Sequence, residues 1–309
     1  MMNSTYHIAV MQQQAVSYLL THQNGIYVDA TLGAGGHTME MLHSLGENAK
    51  VYGIDQDDEA IREASDNIGD DARFKAVKGN FGFLETILPQ NIIGKVDGIL
   101  LDLGVSSHQI DEASRGFSFQ QDGPLDMRMG KMRQLTAEQV VNSYPYEKLR
   151  NILYQYGEEL KSGLIAKTII ENRPLSTTGD LKRCVENVVK GKFQVKSLAR
   201  VFQAIRIEVN QELEVLKRVL EQSVHVLKEG GRIVVISYHS LEDRLVKNYL
   251  RAGNFEGEIK KDFYGNNIRP FEPLSNKVIT ATEEEIRANS RSRSARMRVA
   301  EKIKEEHAH

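Results

Sequence analysis

The feature that most constrains the fold is an alternation of short apolar runs with helical patterns between Tyr27 and Leu103. Four runs rich in β-forming residues lack a polar face, at 27–30, 51–54, 74–77 and 98–101. Two of the intervening segments, around 38–45 and 60–68, carry apolar residues at helical spacing. This alternation predicts βαβ units, and strands without a polar face predict a parallel sheet covered by helices on both sides.

The alternation stops after Leu103. Residues 104–134 form a long segment rich in Gly, Ser and Asp, and helical spacing then continues from Thr136 to about Leu227. A further apolar run at 232–237 predicts a buried strand, and 277–280 and 297–300 are candidates for the last strands. We therefore predict an α/β, Rossmann-like domain in two pieces, 1–110 and 229–309. An all-helical domain, 111–228, is inserted after the fourth strand.

The composition is that of an ordinary globular protein, with 40% hydrophobic and 27% charged residues. Cys184 is the only cysteine, which excludes an internal disulfide and a multi-cysteine zinc site. The N-terminus lacks a signal-peptide pattern, and no run approaches the ~20 apolar residues that cross a bilayer. We expect a cytoplasmic protein, and a homodimer is compatible with the sequence.

Positive charge is concentrated in two segments, although the formal net charge is −2. Segments 182–206 and 287–304 each contain seven basic residues and one acidic residue. Basic islands on an acidic background are typical of proteins that bind a polyanion. Solvated helix faces are the alternative interpretation.

A glycine-rich loop joins the first predicted strand to the first helix, where residues 29–37 read DATLGAGGH. Its glycines let the backbone turn sharply, and Asp55, at the end of the second strand, can accept hydrogen bonds from ribose hydroxyls. A dinucleotide fingerprint requires a third glycine at position 38, which is Thr38. Asp29 suits a ligand with an ammonium and a sulfonium better than a diphosphate. The loop favours S-adenosylmethionine, and a capping role for the two aspartates is the structural alternative.

Five longer motifs follow the loop: DGILLDLGVSS (97–107), RGFSF (115–119), LDMRM (125–129), FQAIRIEVN (202–210) and HSLEDR (239–244). With the loop, they closely resemble the bacterial 16S ribosomal RNA cytosine-N4 methyltransferases, the RsmH (formerly MraW) family. The resemblance runs from about His7 to the C-terminus. It implies a Rossmann-like S-adenosylmethionine-dependent methyltransferase fold with an inserted helical domain that helps to recognise the substrate.

The resemblance also implies the reaction and the cofactor contacts. The methyl acceptor would be the exocyclic N4 of a cytosine in the decoding region of 16S ribosomal RNA, within the small ribosomal subunit. Phe81 would lie along the adenine of the cofactor, and Gln109 follows His108, where the family has a proline. Matching motif positions give as cofactor contacts Gly33, Gly35, Gly36, His37, Asp55, Phe81, Asp102 and Gln109.

The residues themselves favour methylation of an exocyclic amine. Methylation at ring carbon five typically needs a cysteine nucleophile, and Cys184 has a helix-like context. An amine needs alignment with the methyl group and a nearby proton acceptor. Asp102 and His239 end predicted strands, where ligands bind in open α/β sheets, and Asp126 is a third catalytic candidate. A structural role is the alternative for His239.

Polar and aromatic residues supply candidates for contact with RNA. The polar candidates are Arg128, Arg206, Asn210 and Arg244. Arg206 and Asn210 lie one helical turn apart, which suits both substrate contact and packing. Phe117 and Phe119 either stack on a flipped base or fix the long loop to the core.

Two other classes of function stay open at this point. A non-catalytic RNA-binding or assembly factor with this fold would be expected to have a spoiled cofactor loop, yet Asp29, the glycines and Asp55 are all present. A nicotinamide oxidoreductase conflicts with Thr38 in the third glycine position.

Overall fold

The computed structural model describes residues 9–130 and 133–303; the start of the family resemblance, at His7, lies outside them. The described chain forms two compact units. The sheet unit contains the described residues up to Gly104 and from Glu214 onward, and the helical unit is Val105–Leu213. No helix among the described residues is long and apolar enough to span a membrane.

The strands and helices are numbered here along the chain. The strands are β1 Ile26–Asp29, β2 Lys50–Asp55, β3 Phe74–Lys78, β4 Val96–Asp102, β5 Leu227–Ser237, β6 Phe271–Pro273, β7 Ile279–Thr280 and β8 Arg296–Lys302. The helices are α1 Gln12–Leu19, α2 Gly36–Ser44, α3 Asp58–Ile68, α4 Leu84–Ile87, α5 Ser107–Asp111, α6 Ala137–Ser143, α7 Tyr146–Gln155, α8 Ser162–Glu171, α9 Thr178–Val188, α10 Gln194–Asn210, α11 Glu212–Val226, α12 Ser240–Ala252 and α13 Glu283–Ala288.

The sheet has the strand order β3-β2-β1-β4-β5-β8-β6, with β7 also paired to β8. Strands β1 to β5 run parallel, whereas β8 runs antiparallel to β5. Residues 96–101 of β4 are all buried, as expected for a strand covered on both faces. The prediction of a Rossmann-like α/β fold is confirmed.

Strand β5 begins earlier than the sequence predicts, at Leu227 instead of position 232. Leu227 pairs with Val96 and Arg232 with Gly98, so the register shifts between the two pairs. Gly230, at φ +72°, lies in this irregularity. The glycine pair therefore marks a bulge inside the strand and does not separate a helix from a strand.

The helical unit has its own apolar core, built mainly from α6 to α10. Its bounds, Val105–Leu213, differ from the predicted 111–228. The difference at the C-terminal end has a physical reason: Leu216, Val219 and Leu220 of α11 are buried in a core cluster of the sheet unit. At the N-terminal end, α5 forms within the segment that the sequence predicts as loop.

Candidate active site

Polar side chains gather at the carboxyl ends of the parallel strands of the sheet unit. Asp29, Asp55 and Asp102 are the last residues of β1, β2 and β4, and Tyr238 directly follows β5. The strand order reverses between β1 and β4, with β2 and β3 on one side and β5 on the other. Ligands of open α/β sheets bind at this kind of switch point, outside the carboxyl ends of the strands.

Asp29 stabilises the glycine-rich loop through hydrogen bonds. Its side chain is fully buried and accepts hydrogen bonds from the Thr31 backbone N–H (3.2 Å) and the Thr38 hydroxyl (2.8 Å). Burial raises the pKa of Asp29 to about 6, although the hydrogen bonds from Thr38 and Thr31 act to lower it. Thr38, in the position of the third glycine of a dinucleotide fingerprint, thus holds a buried carboxylate in this protein.

The loop itself depends on glycine at two positions. Gly33 and Gly35 have φ values of +51° and +85°, in the left-handed region that other residues rarely adopt. A Cβ at Gly35 would also lie 3.3 Å from the Cβ of Ala64 in α3. These glycines let the loop turn tightly between β1 and α2.

The loop is tied to the end of β2 through Asp55. The Gly33 N–H donates to Asp55 Oδ2 (3.0 Å), and the Asp57 N–H donates to Asp55 Oδ1 (2.9 Å). Burial raises the pKa of Asp55 to about 6. A desolvated carboxylate at this strand end is the group expected to accept the ribose hydroxyls of a nucleoside.

Asp102 lies between two other polar side chains. The Tyr238 hydroxyl donates to Asp102 Oδ1 (2.7 Å), and His37 Nδ1 is 3.9 Å from Asp102 Oδ2. The other ring nitrogen of His37, Nε2, is hydrogen-bonded to the Val10 carbonyl (3.0 Å), which fixes the buried ring. Burial raises the pKa of Asp102 to about 6, against the lowering effects of His37 and Tyr238. Tyr238 was not singled out by the sequence.

Phe81 begins a short 3₁₀ turn after β3 and is partly buried against the core. The preceding Asn80 caps this turn, because its Oδ1 accepts from the Gly82 N–H (2.8 Å). Asn80 Nδ2 donates to the side chain of Gln56 (3.1 Å), the residue that follows Asp55. The predicted adenine contact is thereby tied to the strand end that carries the predicted ribose contact.

His239 and Arg244 lie at the start of α12. His239 is the N-cap of this helix, and its Nδ1 accepts from the Glu242 N–H (3.4 Å). Its Nε2 is 3.1 Å from Glu242 Oε1 but lacks the geometry of a hydrogen bond. Arg244 is exposed on α12. The ring of His239 therefore has a structural part at the helix terminus beside any role in proton transfer.

The remaining predicted residues belong to the helical unit. Asp126 and Arg128 form a two-pronged ion pair, with distances of 2.8 Å and 2.6 Å. Burial raises the pKa of Asp126, but the hydrogen bonds from Arg128 outweigh it, so the pKa is lowered overall. Gln109 is buried and closes a capping box with Ser106 at the start of α5.

Asn210 and Arg206 stabilise the helical unit. Asn210 is 2% exposed; its Nδ2 donates to the Met127 carbonyl (2.8 Å), and its Oδ1 accepts from the Met129 N–H (2.9 Å). Arg206 forms a two-pronged ion pair with Glu212, at 2.8 Å for both contacts. Asn210 therefore supports packing and the neighbouring loop, one of the two roles that its sequence position suits, and its contact with the substrate stays a prediction.

The two phenylalanines of the long segment pack inside the helical unit. Phe117 is 9% exposed, and Phe119 meets the ring of Phe202 edge-on at 5.3 Å. Of the two alternatives for these residues, fixing the segment to the core is the one that the structure describes.

The structure thus brings together most of the predicted cofactor contacts in the sheet unit: Gly33, Gly35, Gly36, His37, Asp55, Phe81 and Asp102. Gln109 belongs to the helical unit, and its contact with the cofactor stays a prediction. Sequence reasoning missed Tyr238 and the bracing role of Thr38. The only signal for Tyr238 was its place beside His239, immediately after a predicted strand.

Two features separate this site from that of a dinucleotide-binding dehydrogenase. First, the position of the third glycine is occupied by Thr38, whose hydroxyl donates to the buried carboxylate of Asp29. Second, β8, which lies next to β5 in the sheet, runs antiparallel to it, whereas the strands of the dinucleotide-binding fold are parallel. Fold and site together define a Rossmann-like methyltransferase.

The chain belongs to the MraW methylase family, whose sequence profile matches residues 4–303. This membership confirms the predicted methyltransferase class and S-adenosylmethionine as its cofactor.

Curated relatives are similar over nearly their whole length. The chain is 48% identical to "Ribosomal RNA small subunit methyltransferase H" of Bacteroides thetaiotaomicron over 301 residues, covering 96% of this chain and 98% of the relative. The protein of the same name from Flavobacterium johnsoniae is also 48% identical, with the same coverage. A crystal structure described as a putative rRNA-methylase from Clostridium thermocellum covers 96% of this chain and 100% of its own, with 14% identity and a TM-score of 0.45.

Proposed function

We propose that the protein transfers a methyl group from S-adenosylmethionine to the exocyclic N4 of a cytosine in the decoding region of 16S ribosomal RNA, within the small subunit. The observation that carries the proposal is the Asp102–Tyr238 pair beside the switch point of the sheet, in a chain that belongs to the MraW methylase family. The relatives' printed name supports a small-subunit RNA substrate. A cytoplasmic location follows from that substrate.

Residues of the sheet unit fit the cofactor. The left-handed glycines leave the loop backbone without side chains, Asp55 offers a carboxylate to the ribose, and Phe81 offers a ring to the adenine. The carboxylates of the buried Asp29 and the partly buried Asp102 give the region the negative charge that a cationic ligand requires. The bound cofactor supplies an electrophilic methyl group on a sulfonium.

We assign the acceptor of the amine proton to Asp102. Its carboxylate is desolvated, is oriented by Tyr238, and has a pKa of about 6, so it is ionised at neutral pH and still basic. His239 is engaged with Glu242, and Asp126 is held by Arg128 with a lowered pKa. Asp126 is the weaker candidate because both of its oxygens bind Arg128. His239 stays a second candidate, because only its Nδ1 serves the helix cap.

The absence of a suitable thiol supports chemistry at the amine. Cys184, the only cysteine of the chain, lies in α9 and is 3% exposed. Burial raises the pKa of its thiol, which opposes formation of the reactive thiolate. Transfer to an exocyclic amine requires no covalent bond between enzyme and base, only alignment and removal of a proton.

The first basic segment offers a contact surface for RNA on the helical unit. Lys190, Lys192 and Lys196 are exposed, and the Lys192 ammonium is 5.2 Å from the ring centroid of Phe193, which is 60% exposed. Lysines beside an accessible ring suit phosphates and an unpaired base. Arg206, at the end of the segment, is paired with Glu212.

In the second basic segment, two arginines have structural partners. Arg296 and Arg298 of β8 donate to the buried carboxylate of Asp243, at distances from 2.6 to 3.2 Å. The end of this segment, at position 304, lies outside the described residues. We therefore place the main contact with RNA on residues 190–196, with Arg244 and Arg128 as further candidates.

The test uses small subunits from cells that lack this protein, incubated with it and with S-adenosylmethionine labelled in the methyl group. The RNA is digested and its nucleosides are identified by mass spectrometry. We expect label in N4-methylcytidine, and a loss of about 100-fold or more in rate for Asp102→Asn, because general-base catalysis contributes about 10²–10⁴-fold. Asp97→Asn, at the other aspartate of β4, is the matched control.

The possible results are distinct. Label on a different atom or base would replace the proposed acceptor, and an unchanged rate for Asp102→Asn would remove Asp102 from the mechanism. Binding of the cofactor without any label would favour the non-catalytic assembly factor.

A further inference from the structure

The segment between α12 and β6 folds into a small hairpin, residues 258–269, here called the aromatic hairpin. Lys261 and Asn267 form an antiparallel bridge across it. Asp262 closes the turn, because its Oδ1 accepts from the backbone N–H of Tyr264 (2.8 Å). The tip is thus held in a defined conformation by its own hydrogen bonds, so a ligand bound there costs little ordering entropy.

Two neighbouring aromatic rings project from this tip. Phe263 is 97% exposed and Tyr264 is 87% exposed, the two most exposed large hydrophobic side chains in the described part of the chain. Their ring centroids are 5.7 Å apart and their planes are nearly perpendicular, at 88°. Both rings therefore present accessible surface to a ligand.

The charges around the rings indicate the class of ligand. Segment 244–269 contains six basic and three acidic residues, although the whole chain is net negative. Lys260 and Lys261 are exposed next to the rings. Lysine is depleted in protein–protein interfaces, whereas lysines beside accessible aromatic rings are typical of sites for unpaired nucleic acid, where bases stack and phosphates are neutralised.

We infer that the aromatic hairpin binds an unpaired segment of the substrate RNA, with bases stacked on Phe263 and Tyr264 and phosphates near Lys260 and Lys261. This inference rests on the RNA substrate proposed above. The hairpin would be a second RNA-binding element, which belongs to the sheet unit and is separate from the cofactor site. The first is residues 190–196 of the helical unit.

The sheet register places the hairpin far from the reacting groups. β8 begins at Arg296, which pairs with Ser237 at the carboxyl ends of the parallel strands, where Asp102 lies. It ends at Lys302, which pairs with Phe271 at the opposite end of the strands. The hairpin comes just before Phe271 in the chain and so lies at that opposite end. Helix α12, which has 13 residues, covers about 20 Å between the two ends. The hairpin would therefore increase affinity for a large RNA without affecting cofactor binding or the methyl transfer.

The test measures binding of the full-length protein to protein-free small-subunit RNA that lacks the methyl group, with S-adenosylhomocysteine present. We expect Phe263→Ala/Tyr264→Ala to weaken binding by roughly 5- to 150-fold for each stacked base that is lost, since stacking of one base contributes ~1–3 kcal/mol. Phe263→Tyr/Tyr264→Phe, which keeps both rings, is the matched control and should bind like the wild type. The logarithm of the association constant falls linearly with the logarithm of the salt concentration. Lys260→Gln/Lys261→Gln should make this slope less steep by roughly 1 to 2.

S-adenosylhomocysteine affinity, measured by calorimetry, shows that each variant is folded and should be unchanged. Equal RNA binding by the double alanine variant and the wild type would overturn the inference alone. A loss of binding to assembled subunits but not to protein-free RNA would also overturn it, because the partner would then be a ribosomal protein. A wild-type protein that binds neither protein-free RNA nor assembled subunits would overturn the proposed substrate and this inference together.

Discussion

Single residues set the chemistry of this site through a balance between burial and hydrogen bonding. Burial raises the pKa of Asp29, Asp55 and Asp102, each to about 6. Each carboxylate also accepts hydrogen bonds that favour its charged form. The result is a group that is ionised at neutral pH yet close enough to neutrality to take up a proton.

Tyr238→Phe tests this balance at Asp102. The proton acceptor must be ionised, so we expect kcat to fall as the pH drops through about 6, the pKa of Asp102. The Tyr238 hydroxyl lowers that pKa, so its removal should move the acidic limb to higher pH by roughly one unit, since one unit corresponds to about 1.4 kcal/mol, the size of a hydrogen bond to a charged group.

The measurement is the pH profile of kcat for the wild type and Tyr238→Phe. The variant should recover most of its activity above pH 8, and its affinity for S-adenosylmethionine should not change. A uniform loss at every pH would instead indicate that Tyr238 serves only the packing of the site.

The sequence predicts some of these residues and not others. Asp55 and Asp102 can be found because a residue at the end of an apolar run lies at the ligand-binding edge of a parallel sheet. Tyr238 cannot be assigned to Asp102 in this way. Their contact joins distant parts of the chain and depends on the β4–β5 register, in which Asp102 lies opposite Ile236. The bond from Thr38 to Asp29 likewise requires the fold.

Among the elements, α10 has an unforeseen part in supporting the segment before α6. Met127 is buried and has a φ of +58°, a left-handed conformation that is costly for a residue with a side chain. Asn210, the last residue of α10, holds the backbone on either side of Arg128 through Met127 and Met129. The helix end thus maintains a conformation that the segment would not adopt by itself.

Asn210→Ala should lower the free energy of unfolding of the helical unit by about 2–6 kcal/mol. The substitution leaves the Met127 carbonyl and the Met129 N–H unpaired, and each buried unpaired group costs ~1–3 kcal/mol. Urea unfolding and proteolysis of residues 116–130 are the measurements. Asn172→Ala, at the exposed end of α8, is a control with little expected effect. Equal stability of the two variants would contradict the anchoring role.

Periodicity predicts elements better than it predicts their membership in a unit. The apolar spacing of Leu216 and Leu220 identifies α11 as a helix but does not tell which core it joins, and the structure places it in the sheet unit. The early start of β5 was hidden by Gly230 and Gly231, which also mark helix ends in sequence.

At the scale of the whole molecule, the two units differ in how the chain supplies them. The helical unit is one continuous stretch with its own core, whereas the sheet unit is assembled from two separated pieces. We expect an isolated fragment 105–213 to be helical and to unfold cooperatively in urea, as measured by circular dichroism. Fragment 1–104 should not, because β4 lacks its neighbour β5. Non-cooperative unfolding of fragment 105–213 in urea would contradict the expectation that the helical unit folds independently.

The position of the insertion bears on how the protein is made. During synthesis, segments that emerge first usually fold first, but β4 emerges long before β5, its partner in the sheet. The side of β4 that pairs with β5 stays unpaired while the whole helical unit is translated, and β8 is translated later still. A nascent chain therefore passes through a stage with a finished helical unit and a bare strand edge, and such an edge invites aggregation or capture by a chaperone.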